Sequence, residues 1–192
     1  MKNIEEKYKA ARKRLKEGLS IDQTMIDFID ESYNHILRTF DFGGKIIWCG
    51  NGGSASMASH LSAEFVGTFK IHNRKALNSI SLSAESSLIT AIANDFDFAD
   101  IFSRQIEGLA NKNDLLFVLS TSGESKNIIN AIKISKKIGI KTIAFLGNGG
   151  GLCKDIADIN IIINSSNTAT IQEAHLFLGH LMCDLIDENF SN

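Results

Sequence analysis

Three features of the 192-residue sequence predict an α/β fold, with about five parallel strands sandwiched between helices and two helices leading into them. Short unbroken apolar runs recur, segments of helical period separate them, and the glycine- and serine-rich stretches come directly after the runs. Unbroken runs are what a parallel sheet covered on both faces requires, because each strand is buried from both sides. The length suits one domain, 1–192, with N-terminal helices over 1–42 and an α/β core over 43–192.

Taken in order, residues 3–18 read as a charged helix. Residues 21–40 read as a second, in which Met25, Phe28, Ile29, Tyr33, Ile36 and Leu37 recur at helical spacing. Gly43 and Gly44 end that pattern. The strand candidates follow at 45–49, 76–82, 115–119, 142–146 and 159–163. A last helix runs from about Thr170 to Glu188, with Thr170 and Glu173 able to form a capping box. There is no proline, so glycine and serine must make the turns, and they cluster in GNGGSAS (50–56), STSGES (120–125) and GNGGG (147–151). In open parallel sheets ligands sit beyond the carboxyl ends of the strands, which directs attention to the first two clusters.

Composition narrows the function. The chain has 22 acidic against 20 basic side chains, a net charge of −2, and so lacks the basic excess of a protein that binds nucleic acid by neutralising phosphates. Its N-terminus is charged throughout, and no stretch approaches the roughly 18 apolar residues of a membrane span, so a cytoplasmic protein is expected. Cys49, Cys153 and Cys183 are widely spaced and show no C-x-x-C pattern, and they read as buried thiols.

Gly50-Asn51-Gly52-Gly53-Ser54-Ala55 runs from a strand into a helix, and its glycines let backbone amides approach an anion. It matches a loose G-x-G-x-x-A, yet the ribose-binding acid expected about 20 residues on is missing, which argues against a nicotinamide cofactor. Ser120-Thr121-Ser122-Gly123-Glu124-Ser125 offers four hydroxyls at the mouth of a helix and no P-loop lysine, a combination suited to a phosphomonoester. One hydroxyl would cap the helix; four exceed that need.

His60 and Glu64 stand four residues apart on the helix opened by the first loop and so share a face, either as an ordinary solvated pair or as a functional one. On the last helix, Gln172 and His180 lie at 0° and 80°, away from the apolar arc of Leu178, Leu181, Met182 and Leu185, while His175 lies nearer that arc and reads as a packed, hydrogen-bonded histidine.

CGNGGSASMASHLSAEF, TAIANDFDF, STSGES and IQEAHLFLGH, in this order and at these separations, resemble the phosphoheptose isomerases of the sugar isomerase (SIS) family over nearly the whole chain. The resemblance implies a flavodoxin-like SIS fold and a homotetramer with active sites at subunit junctions. It also implies isomerisation of sedoheptulose 7-phosphate to D-glycero-D-manno-heptose 7-phosphate, early in the supply of activated heptose for lipopolysaccharide, capsule or glycoprotein. By position, Asn51, Gly52, Gly53, Ser54, Asn94, Asp95 and Gln172 would contact substrate, and Ser120, Thr121, Ser122 and Ser125 would bind its phosphate. Glu64 and His180 match the family's acid and base, and His60, Glu64, Gln172 and His180 its ligands for one zinc ion per subunit.

Gln172 and His180 are about 12 Å apart along a helix, a long reach to a single ion, which favours a site shared between subunits. Three positions depart from the pattern: Thr170 replaces a frequent arginine, Glu85 an aspartate and Met57 an aspartate, and the first implies less polar support for the site. The rival readings are a non-catalytic SIS regulator that binds the replication initiator, where the acid and base are typically replaced, and a sugar-phosphate sensor, which would need a DNA-binding segment. Glu64 and His180 are both present, which favours the enzyme.

Overall fold

The structure is a computed structural model describing residues 3–20 and 22–191. Strands β1 (Ile46–Gly50), β2 (Ser79–Ser81), β3 (Leu115–Ser120), β4 (Lys141–Gly147) and β5 (Ile159–Ile163) form one wholly parallel sheet in the order β2-β1-β3-β4-β5. Helices α2 (Gln23–Asp41), α3 (Gly53–Val66) and α8 (Thr168–Asn189) cover one face. The other is covered by α4 (Ser86–Asp95), α5 (Ser103–Leu109), α6 (Lys126–Ile138) and the single turn α7 (Cys153–Ile156).

Alternation along the central strands divides the core. Ile46, Trp48, Leu115, Phe117, Ile143 and Phe145 face α2, α3 and α8, while Ile47, Cys49, Leu116, Val118, Ala144 and Leu146 face the opposite layer. Trp48 stacks on Phe117 at 4.4 Å between ring centroids, and Phe145 meets Phe117 edge-on at 5.8 Å. The expected buried thiols are found, all three cysteines lying in the interior. Chain connections leave β1 towards β2 and β3 towards β4, so the loops after β1 and β3 diverge at the point where the strand order reverses, and a crevice opens between them.

The elements depart from the sequence reading in three places. The apolar run 76–82 contributes only Ser79–Ser81 to the ladder, because the Leu77 amide is taken by the Phe65 carbonyl at the end of α3. The last helix starts at Thr168: Asn167 is its N-cap and accepts from the Thr170 amide at 3.0 Å, in place of the Thr170–Glu173 box. The second helix begins at Gln23 rather than residue 21, which lies outside the described residues. The leading helix α1 (Ile4–Gly18) exposes its first three turns, Ile4 and Tyr8 included, and meets the body where Gly18 packs on Thr170 and Ile163.

His175 ties α8 to the sheet. It is wholly buried, its Nε2–H donates to the Leu146 carbonyl at 3.0 Å, and Nδ1 has no partner among the described residues. Burial pushes its pKa down to about 4, with the hydrogen bond to Leu146 opposing. The neutral ring therefore stabilises the fold in full above the unfolded-state value near 6.5, and that contribution is lost as pH falls towards 4. Urea unfolding should show a loss of about 2 kcal/mol from this residue between pH 7 and pH 5, absent in His175→Gln. Identical pH slopes in the two proteins would contradict the assignment.

Candidate active site

The crevice between the β1 and β3 loops is lined by Asn51, Ser54, Leu119, Ser120, Thr121, Ser125 and Gln172. Its first wall is a tight turn. Gly52 is the N-cap of α3 at φ 55°, and a Cβ on Gly50 would lie 2.7 Å from the backbone of Ser54, so only glycine lets the strand pass this close to the helix start. Ser54 is buried behind the turn. Gly53 receives the Gln172 amide directly, since a Cβ there would stand 2.6 Å from Gln172 Nε2.

The second wall is the hydroxyl-rich turn. Ser120 Oγ accepts from the Gly123 amide and Ser122 Oγ from the Glu124 amide, which hold the turn's shape. Ser125 is the N-cap of α6 but makes no capping bond with its side chain. Together with Thr121, its hydroxyl faces the crevice beside the α6 N-terminus, a setting that favours an anion.

Asn127, which the sequence reading missed, links the two walls. Asn51 Nδ2 donates to Asn127 Oδ1 and Asn127 Nδ2 returns the bond to Asn51 Oδ1, both at 2.9 Å, and Asn127 is buried. The Ile128 amide donates to Asn127 Oδ1 at 2.9 Å, which sets the Asn127 amide and, through the reciprocal pair, which end of the Asn51 amide points where. No local pattern marks Asn127 in the sequence; only the sheet order brings it beside Asn51.

From the crevice α3 and α8 run side by side in the same direction, with Gly53 against Gln172, Leu61 against Gly179 and His60 against His180. Gly179 permits the close approach, since a Cβ there would meet the Leu61 side chain at 2.5 Å. His60 Nε2 and His180 Nε2 are 2.8 Å apart, and Glu64 Oε1 lies 3.7 Å from His60 Nδ1. Phe69 stacks on the His180 ring at 5.2 Å between centroids. Burial and the neighbouring His60 hold the His180 pKa below the usual histidine value, with the Glu64 charge opposing. At 2.8 Å one imidazole can donate to the other, and the Glu64 carboxylate sits alongside.

The predicted residues thus gather into two groups along the seam between α3 and α8. Asn51, Ser54, Ser120, Thr121, Ser125 and Gln172 line the crevice, with Gly52, Gly53 and Ser122 forming its turns, while His60, Glu64 and His180 meet two helical turns further on. Asn94 and Asp95 join neither: they end α4, exposed, with Asn94 donating to Asp95. Of the departures from the family pattern, Thr170 is buried against α1 rather than facing the crevice, Met57 packs in the core, and Glu85 caps α4. The four zinc-ligand candidates do not meet at one point, because Gln172 stays with the crevice. Among the described residues no group of three His, Cys, Asp or Glu side chains is arranged to hold a metal ion. Two imidazoles and a carboxylate are donor types zinc takes. Its two nitrogen ligands would stand roughly 3.3 Å apart around a tetrahedral ion, so the histidine pair would have to open by about half an ångström.

Comparison with known proteins agrees with this fold. The family model described as the SIS domain matches residues 7–147. A phosphoheptose isomerase of Helicobacter pylori is 40% identical over 189 residues, covering 98% of this chain and 96% of the relative. Another, from a Nitratiruptor species, is 52% identical over 146 residues, covering 76% and 78%. The solved structure of the phosphoheptose isomerase from Neisseria gonorrhoeae superposes with a TM-score of 0.87 at 32% identity, covering 96% of this chain and 97% of that one. Likeness at this level, running from the leading helices to the end of the last, makes the chain a member of the SIS-domain family and, within it, of the phosphoheptose isomerases.

Proposed function

We propose that this enzyme interconverts sedoheptulose 7-phosphate and D-glycero-D-manno-heptose 7-phosphate through a cis-enediol, in the cytoplasm, supplying heptose for surface polysaccharide. One observation carries the reading: a hydroxyl-lined crevice and a carboxylate–imidazole cluster lie along the same α3–α8 seam at a separation that fits the substrate. Seven residues separate Gly53 from His60 and eight separate Gln172 from His180, a rise of about 10–12 Å, and helix side chains lean back towards the N-terminus, which shortens the gap. An open-chain heptose 7-phosphate spans roughly 10 Å from its first carbon to phosphorus, counting eight zigzag bonds of about 1.5 Å.

With the phosphate held by Ser120, Thr121, Ser122, Ser125 and the α6 N-terminus, C1 and C2 reach Glu64 and His180. Glu64 takes a proton from C1, the C1–C2 double bond forms, and the carbonyl electron pair moves to O2, which is protonated from His180. Return of the Glu64 proton to C2, with loss of the O1 proton to His180, gives the aldose. Asn51, locked by Asn127, and Gln172 orient the sugar between the two ends.

Zinc, one ion per subunit, belongs to the proposal: His60, His180 and Glu64 would hold it, with Gln172 brought in from the crevice. When bound it would polarise the carbonyl as a Lewis acid. A homotetramer belongs to it as well, with Asn94 and Asp95 acting at a neighbour's groove; the exposed Phe96 and Phe98 beside them, and the exposed Phe177 beside the histidine cluster, support such contacts.

The test is incubation of purified protein with sedoheptulose 7-phosphate, followed by NMR. Aldose should form, formation should cease in chelator, and zinc alone should restore it. Absence of aldose in the zinc-loaded protein would refute the activity, and full turnover after metal removal would refute the zinc.

A further inference from the structure

Between α3 and β2 the chain makes an excursion, 67–75, which contributes Phe69 to the wall of the histidine cluster. It is strapped to α8 in three ways. Lys70 pairs with Asp184 at 2.5 Å, Phe69 stacks on His180, and the Lys70 and Ile71 amides both donate to Asp187 Oδ2, at 2.7 and 3.0 Å. The other oxygen of Asp187 accepts from Arg74 Nε. Both Arg74 and Asp187 are buried, an arrangement rare for charged side chains unless fully paired.

Arg74 is also saturated on its far side. Nη2 donates to the carbonyls of Glu64 at 2.8 Å and Gly67 at 3.2 Å, and Nη1 to those of Phe65 at 3.0 Å and Lys75 at 2.6 Å. Three of these carbonyls end α3, where the helix has no amides left to satisfy them. One guanidinium thus grips the backbone of Glu64 itself and the helix end that carries His60. Its partner Asp187 sits seven residues after His180, two turns along α8 and on the same side. Burial alone would push the Asp187 carboxyl up, but the Lys70 and Ile71 amides and Arg74 bring it below its ordinary value, so the pair stays ionised.

We propose that Arg74 and Asp187 are positioning residues for the isomerase reaction: the buried pair locks the end of α3 to α8 and so fixes Glu64 and His60 against His180, with Phe69 held on the outer face of the ring. This rests on the assignment of Glu64 and His180 as proton carriers. The planar fork of arginine is essential, because a lysine ammonium cannot reach Asp187 and four carbonyls from one point.

The experiment compares Arg74→Lys and Asp187→Asn with the unaltered full chain by three readouts: kcat and KM for sedoheptulose 7-phosphate, the His180 ring signals in NMR, and amide hydrogen exchange over 64–67. In both variants kcat should fall about 10- to 100-fold with KM changed less than threefold, as for other residues that orient a reacting group. The His180 signals should shift as the Phe69 stack loosens, and exchange at the α3 end should quicken. Asp187→Asn keeps an acceptor for the Lys70 and Ile71 amides, so it retains the fold if Arg74→Lys does not. Folded variants with unaltered kcat and unaltered His180 signals would show a purely structural pair and overturn the proposal. If the unaltered protein fails to isomerise the substrate, the proposed function falls, while the ring signals and exchange still report whether the pair holds the two helices in place.

Discussion

Glu64→Gln should lower kcat for sedoheptulose 7-phosphate by about 1,000-fold while leaving KM within roughly threefold, since a positioned general base contributes about 100- to 10,000-fold. The substitution keeps the shape of the side chain and removes its negative charge and with it its ability to take a proton. Glu64 is half-buried and its carboxylate faces His60 at 3.7 Å, so the fold has little to lose. Initial rates of aldose formation measure the effect. Turnover within tenfold of the unaltered enzyme would remove Glu64 from the chemistry.

Gly123→Ala should cripple the opposite, phosphate-binding end of the proposed site. Gly123 sits at φ 66°, where a side chain is strained, and its Cβ would lie 1.9 Å from the Gly150 carbonyl oxygen, a backbone atom that cannot swing aside. The contact is part of a brace: the third glycine cluster lies against the hydroxyl-rich turn, with Cys153 N donating to the Gly123 carbonyl at 3.0 Å and Leu152 N to Glu124 Oε1 at 3.1 Å. Relieving the clash must move one loop off the other and spread the hydroxyls meant for phosphate. The expected result is a loss of at least about 3 kcal/mol in stability, seen as a melting temperature lower by roughly 6–12 °C, with KM raised at least about tenfold. Gly149→Ala is the control, because Gly149 also has positive φ, 80°, but no atom within 4 Å of the new Cβ. Equal melting temperatures for the two variants would mean that the brace does not matter.

Much of this architecture is readable without coordinates. Unbroken runs such as 115–119 and 159–163 announce strands because a doubly covered parallel sheet has no polar face. The i,i+4 spacing of His60 and Glu64 places them together because a helix obliges it. The 12 Å between Gln172 and His180 is equally legible, and the structure keeps them in separate groups.

What fails to show in the sequence is whatever depends on contacts between distant segments. The run 76–82 looks like a full strand, yet Leu77 serves the end of α3 rather than the sheet. Asn127 and Asn51 are 76 residues apart, Arg74 and Asp187 are 113 apart, and neither pairing leaves a local signal. Gly179 looks like a weak point in a helix until Leu61 is seen filling the space a side chain would need.

The central claim is that Glu64 carries a proton between adjacent carbons of a sugar whose phosphate is held at the β3 loop. Its most direct test is the reaction of the zinc-loaded enzyme with sedoheptulose 7-phosphate in heavy water, followed by proton NMR of the aldose. Glu64 is open enough to exchange its proton with solvent, so the account predicts deuterium at C2 of the product. An aldose formed with only hydrogen at C2 would point to transfer of hydride between the carbons and would contradict it.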